Sequence, residues 1–242
     1  KKYGLMVNSG SSANLLALAS LNLKKGSEII TTTLTFSTTV APIYQLGLIP
    51  HFIDVGKNTF VANLDQIKKA INKKTKAIMI PNLLGNVPNF IEINKLAKKY
   101  NLKVIEDAAQ SFGGSIGNQK VGSFGDVAAT SFYPAKPLGC YGDGGAIFTN
   151  NSELADKCRA IRIHGTSSDK YNSELIGLNG RLDTIQAAVL LEKLTIFDDE
   201  LNLRNQVSKT YKKYFNNSQY IPKNYHSAHA LFSVTLSSYK ER

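Results

Sequence analysis

Short apolar runs alternate with helix-like stretches along the first half of the chain, and this alternation limits the fold more than any other feature. Residues 5–8, 28–33, 49–54, 77–80 and 103–106 read as strands. Residues 12–23, 37–46, 64–71 and 91–100 read as helices between them, with Gly or Pro at many of the joints. A strand–helix–strand rhythm of this kind predicts an α/β architecture, a mostly parallel central sheet flanked by helices. Residues 113–145 are rich in glycine, with β-prone pieces at 127–132 and 146–149. Helices are expected after Asn151 and over 182–194, and an amphipathic stretch over 199–215. A loop over 216–224 and a β-like run over 229–236 close the pattern. The reading is one large α/β domain over residues 1–220, with residues 221–242 opening a smaller α+β domain.

Composition narrows the class of function. At 242 residues and 43% hydrophobic the chain can bury a core, roughly three quarters of its unfolded surface. No apolar run approaches the ~18 residues of a membrane-spanning helix, so no membrane partner is expected. Lys1-Lys2-Tyr3-Gly4 leads directly into a strand-like run, so no secretory signal is expected. Two cysteines, Cys140 and Cys158, cannot build a disulfide framework, and a cytoplasmic location follows as the default. The net charge of +11 rests on 29 Lys+Arg against 18 Asp+Glu. Only five of those are Arg, and nucleic-acid surfaces generally use Arg forks as well as Lys. No nucleic-acid motif is present, so the charge reads as a Lys-rich background or as a field attracting an anionic ligand.

Three segments could carry chemistry. Residues 8–14, Asn-Ser-Gly-Ser-Ser-Ala-Asn, follow a strand and open a helix. A helix N-terminus suits an anion, and a simple Ser cap is the alternative. Residues 104–110, Val-Ile-Glu-Asp-Ala-Ala-Gln, put two acids at the end of a strand, where α/β sheets place ligands; an ordinary capping Asp is the alternative. Lys136 is the one lysine in an otherwise uncharged stretch from 127 to 142, between two prolines and before glycines. Burial lowers a lysine's pKa and makes its amine a nucleophile, whereas a surface lysine in the same loop would do nothing. The four histidines show no metal-ligand spacing, and Cys140, with no base identified beside it, reads as a small buried thiol.

Taken in order, these motifs resemble the DegT/DnrJ/EryC1/StrS sugar aminotransferases, pyridoxal-phosphate (PLP) enzymes of transferase fold type I. The resemblance extends over residues 8–14, 34–36, 52–55, 75–78, 104–110, 131–145 and 177–183. The family's chains are longer at both ends, so this sequence looks like a fragment that stops as the small C-terminal domain begins. The resemblance implies a role for each matching residue. Lys136 is the Schiff-base lysine and Asp107 the carboxylate facing the pyridine nitrogen. Phe36 stacks on the cofactor ring, and Gln110 lies beside its phenolic oxygen. Ser11, Ser12 and Ser131 contact the phosphate. Asn179 reaches the phosphate of a neighbouring subunit, which implies a homodimer with shared active sites.

The implied reaction moves an amino group from an amino-acid donor such as glutamate to a nucleotide-linked keto sugar, for surface polysaccharide or lipopolysaccharide. Parts of the chain, residues 7–17, 36–47 and 81–88, are instead similar to the family's 3-dehydratase branch, which carries histidine at the lysine position. Lys136 favours transamination, and the sugar stays open. A non-catalytic regulatory relative is the other class; the set Lys136, Asp107 and Gln110 argues against it.

Overall fold

A computed structural model describes residues 1–166 and 171–238 of the protein. Residues 239–242, the end of the expected second domain, lie outside the described residues. In chain order the strands are β1 (Tyr3–Val7), β2 (Glu28–Thr32), β3 (Ile49–Ile53), β4 (Thr75–Pro81), β5 (Lys103–Asp107), β6 (Ser115–Ile116), β7 (Gln119–Lys120), β8 (Val127–Ser131), β9 (Gly145–Thr149) and β10 (Tyr225–His226). The helices are α1 (Gly10–Ser20), α2 (Ser37–Gln45), α3 (Leu64–Ala70), α4 (Phe90–Lys99), α5 (Ser152–Arg162), α6 (Thr184–Thr195) and α7 (Phe197–Tyr211).

Seven strands form one sheet in the order β1-β9-β8-β5-β4-β2-β3. The run from β8 to β3 is parallel throughout, and β9 is antiparallel to both of its neighbours. The expected α/β sheet is therefore present. Central strands such as β4 and β8 bury residues on both faces because helices cover both sides. Along β4 the side chains alternate. Ala77 and Met79 pack with Ala13, Leu16 and Ala17 of α1 and with Ala155 and Cys158 of α5. Ile78 and Ile80 pack on the other side with Ile67 of α3 and Phe90, Ile93 and Ala97 of α4. In α4, buried residues recur at the spacing that lines one helix face, and the Asn89 side chain caps its start by accepting the Glu92 N–H at 3.2 Å.

The structure departs from the sequence reading in the second half. The glycine-rich segment contributes β6 and β7, which pair with each other, and β10 joins them in a three-stranded sheet in the order β10-β6-β7. Strands of two residues carry too little periodicity to be read locally. The β-like run at 229–236 does not form a strand. Its start is diverted onto the turn after β4: the Ala228 N–H donates to Gly85 O at 3.0 Å and the Leu231 N–H to Leu84 O at 3.3 Å. Gly85 permits this approach. It has φ +93°, and a Cβ there would stand 2.7 Å from the His229 nitrogen. Further on, Val234 is held by a single bridge to Ser218 inside the expected loop.

His229 sits in this diverted segment with its Nδ1 buried and without a hydrogen-bond partner. Burial first, then the positive charges of Lys212 and Arg204, push its pKa down to about 4. An unfolded histidine titrates near ~6.5. Between those values the unfolded chain binds the proton and the folded chain refuses it. The stabilisation present above the unfolded value is therefore lost as pH falls toward about 4. Thermal melts should show a His229→Asn variant losing less Tm than the parent between neutral and acid pH, by a few degrees. Equal losses would show that His229 does not contribute to the acid sensitivity.

Candidate active site

The carboxyl ends of β4, β5 and β8 open onto a cavity of about 430 Å³. Pro81, Asp107 and Ser131, the last residues of those three strands, line it. Residue alternation along β5 separates the two acids that the sequence left ambiguous. Glu106 turns to the α3–α4 side and never reaches the cavity. It is fully buried, and its oxygens accept from the Gly122 N–H (2.9 Å), Asn82 Nδ2 (3.0 Å) and the Phe124 N–H (3.1 Å), pinning the chain before β8. Burial nevertheless pushes its carboxyl above the usual range. Asp107 turns to the α1–α2 side and into the cavity. Its Oδ2 accepts from Asn14 Nδ2 of α1 at 2.9 Å and from Thr39 Oγ1 of α2 at 2.7 Å, and its Oδ1 accepts the Ala109 N–H at 3.1 Å.

Lys136 lines the same cavity. A tight turn presents it: the Lys136 N–H donates to Tyr133 O at 2.9 Å, and the Cys140 N–H to Phe132 O at 2.8 Å. Gly139 lets that turn close, since a Cβ there would stand 2.7 Å from Pro134 O. Burial lowers the lysine's pKa, and the nearby charge of Asp107 partly offsets the effect. Lys136 is thus the lysine in the cavity wall, half-buried and easier to deprotonate than a surface amine.

The start of α1 forms another part of the wall. Ser9 caps the helix, its Oγ accepting the Ser12 N–H at 3.1 Å. The first N–H groups of a helix have no carbonyl partner within it. Gly10 and Ser11 line the cavity beside Ser131. A Cβ on Gly10 would stand 2.6 Å from Ser131 Cβ, so only glycine lets helix and strand approach this closely. Free N–H groups, the helix dipole and the hydroxyls of Ser11 and Ser131 together make a cradle for an anion. Phe36, 63% exposed and just before α2, lines the cavity and offers a flat apolar face. Gln110 Oε1 accepts the Leu84 N–H at 2.7 Å, so the end of the amide left for a ligand is its NH2 donor.

Of the residues expected from sequence, Ser11, Phe36, Asp107, Gln110, Ser131 and Lys136 therefore meet in one cavity. Ser12 does not line it; its hydroxyl accepts from Ser9 Oγ at 3.1 Å. Asn179 is exposed, outside the cavity, bridged to Ile163 and with its carbonyl accepting from Asn8 Nδ2 at 3.1 Å. Cys140 is fully buried, and burial raises its thiol pKa, as suits an inert packing group. The sequence reading missed Asn14 and Thr39, which hold Asp107, and Thr35, Tyr133 and Asp143 in the wall. Asn14 and Thr39 lie within or next to segments already singled out, yet nothing local distinguishes them. Ala230 and Leu231 close the wall from the diverted C-terminal segment, which no local pattern could reveal. Among the described residues no cluster of His, Cys, Asp or Glu is suited to a metal ion, and no helix is long and apolar enough to cross a membrane.

Comparison with known proteins finds relatives along the whole chain. A sequence model of the DegT/DnrJ/EryC1/StrS aminotransferase family matches residues 1–242. The UDP-2-acetamido-2-deoxy-3-oxo-D-glucuronate aminotransferase of Pseudomonas aeruginosa is 43% identical over 210 residues, covering 87% of this chain and 58% of that protein. A crystal structure of a DegT/DnrJ/EryC1/StrS aminotransferase from Brucella abortus superposes with a TM-score of 0.90 at 39% identity, covering 94% of this chain and 64% of that one. The E. coli GDP-4-keto-6-deoxy-D-mannose-3-dehydratase with bound hydrated PLP gives 0.89 at 30% identity, covering 98% of this chain and 68% of that one. The chain thus spans a little over half the length of the Pseudomonas relative.

Proposed function

Because the chain belongs to the DegT/DnrJ/EryC1/StrS aminotransferase family, we propose that it is the cofactor-binding part of a PLP-dependent aminotransferase acting on a nucleotide-linked keto sugar. The carrying observation is the convergence of Lys136 and Asp107 on one cavity that also holds the N-terminus of α1. The residues present fit PLP. The cradle of Ser9, Gly10, Ser11 and Ser131 suits its phosphate, and Phe36 suits its ring. Asp107 suits the ring nitrogen, the Gln110 NH2 suits the phenolic oxygen, and the Lys136 amine suits the aldehyde. Bound there, PLP supplies a carbonyl that exchanges amines and a ring that takes up the electron pair left when a C–H bond breaks.

The chain's own groups then have separate tasks. Asp107, held as an acceptor by three donors, keeps a proton on the ring nitrogen. Lys136 Nζ, as a free amine, would take the proton from the donor's α-carbon. In the second half it delivers a proton to the sugar carbon that receives the nitrogen. Glutamate leaves as 2-oxoglutarate, the keto sugar leaves as the amino sugar, and the two half-reactions alternate. A 3-dehydratase reading is favoured by the similarity to the E. coli enzyme, and Lys136 weighs against it, since an amine at that position can both hold the cofactor covalently and shuttle the proton. The test is to incubate the full-length protein with PLP, glutamate and a panel of keto sugar nucleotides, then apply mass spectrometry. An amino sugar product with 2-oxoglutarate supports transamination; loss of a hydroxyl without nitrogen transfer supports the dehydratase.

We further infer a cytoplasmic homodimer, with residues 221–242 opening the second domain. Ile176, Ile185, Leu191 and Leu194 are all exposed, and of α6 only Leu190 is buried, so the segment around Asn179 leaves several large apolar side chains uncovered. In a shared-site dimer Asn179 serves the partner's phosphate cradle. Mixing inactive Lys136→Ala and Asn179→Ala chains then rebuilds one intact site in each mixed dimer. Random exchange should restore about a quarter of wild-type activity. Heterodimers that form and stay inactive would show that Asn179 acts only within its own chain.

A further inference from the structure

We propose that Asn14 and Thr39 are positioning residues that fix the rotation of Asp107 and keep its Oδ1 available to the ring nitrogen of the cofactor. The proposal rests on the reading of the site as a PLP site and specifies how that site sets the protonation of the ring.

The contacts around Asp107 are one-directional. Thr39 Oγ1 lies 2.7 Å from Asp107 Oδ2 and 2.7 Å from Thr35 Oγ1. A carboxylate oxygen only accepts, so Thr39 must spend its single hydroxyl hydrogen on Asp107. Thr35 must then donate to Thr39. Asn14 Nδ2 donates to Oδ2 at 2.9 Å and to Thr38 O at 3.3 Å. The opposite amide orientation would set the Asn14 carbonyl against two acceptors, so the orientation is determined by its partners. Asn14 is 1% exposed, and its Oδ1 has no hydrogen-bond partner. A buried amide with an unpaired carbonyl is unfavourable for stability alone. Its donor end is the part the site uses.

The consequence is an asymmetric carboxylate. Oδ2 is engaged by two side chains from two different helices, α1 and α2. Oδ1 holds the Ala109 N–H at 3.1 Å and has room for another donor. Asn14 does not line the cavity, and Thr39, in its wall, directs its hydroxyl hydrogen to Asp107. They act through Asp107.

Removing the donors lets the carboxylate turn away or, being less stabilised as an anion, draw the proton to itself. Either way the ring nitrogen loses the proton. The experiment loads full-length wild type, Asn14→Leu, Thr39→Val, Thr39→Ser and the Asn14→Leu/Thr39→Val double variant with PLP labelled with nitrogen-15 in the ring. The nitrogen resonance is then followed against pH, with thermal melts as a check on folding. Wild type and Thr39→Ser should hold the protonated resonance over the whole range. Thr39→Val and Asn14→Leu should move toward the unprotonated position at a pH at least about one unit lower. The glutamate half-reaction should slow about tenfold with each. A bound ring that stays protonated in both single variants overturns the proposal. If the double variant does not fold, the single variants decide. A wild-type protein that takes up no PLP overturns the reading of the site, and this proposal with it.

Discussion

Lys136→Ala is expected to abolish turnover, by more than about a thousandfold, while leaving PLP bound through the other contacts of the cavity. The size follows from two tasks lost together. In the proposed reaction the amine is both the covalent anchor and the base that moves the proton; proton transfer alone accounts for roughly a hundred- to ten-thousandfold. Among the described residues no other lysine lines the cavity to take its place. Burial in the cavity wall lowers its pKa, and the nearby charge of Asp107 partly offsets this. Single-turnover spectra with glutamate check this. A variant that retained more than a tenth of wild-type turnover would move the chemistry to another residue.

Asp107→Asn is expected to lower the rate by about a hundred- to ten-thousandfold with PLP still bound. The substitution keeps the size of the side chain and removes its charge. Breaking a buried charge pair costs about 3–5 kcal/mol, and each ~1.4 kcal/mol in the barrier is tenfold in rate. Asn14 Nδ2 and Thr39 Oγ1, which donate to Oδ2, would hold the new amide with its carbonyl toward them, so its NH2 would take the place of Oδ1 and face the Ala109 N–H and the ring nitrogen with a donor instead of an acceptor. The half-reaction with glutamate, measured at saturating PLP, separates this loss from weaker binding. A near-wild-type half-reaction would show that Asp107 is not the partner of the ring.

The legible parts of the chain share a physical cause. β4 is legible because the run Ala77–Ile80 lies in a parallel strand covered on both faces and is continuously apolar, and α4 because its buried residues repeat at helical spacing. Lys136 stood out because burying a charge is unfavourable, so a single lysine in an apolar turn is unusual. Glu106 and Asp107 could not be separated by composition, and the two-residue period of β5 sends one to a structural network and the other to the cavity. Asn14 and Thr39 are ordinary polar residues whose meaning comes from contact with a strand far along the sequence. Ala230 and Leu231 enter the cavity wall only because Gly85 admits the backbone of the C-terminal segment. That segment was read as a strand because its apolar pattern carries no sign of the turn at His229, where φ is +45°. Ser12 and Asn179, expected from family resemblance, lie outside the cavity of a single chain, and the role proposed for Asn179 requires a second copy.

The most direct test of the account is borohydride reduction of the PLP-loaded protein, followed by peptide mapping. The account predicts a pyridoxyl adduct on the peptide that carries Lys136, absent from Lys136→Ala. An adduct on any other lysine, or none on a protein that has taken up PLP, would contradict it.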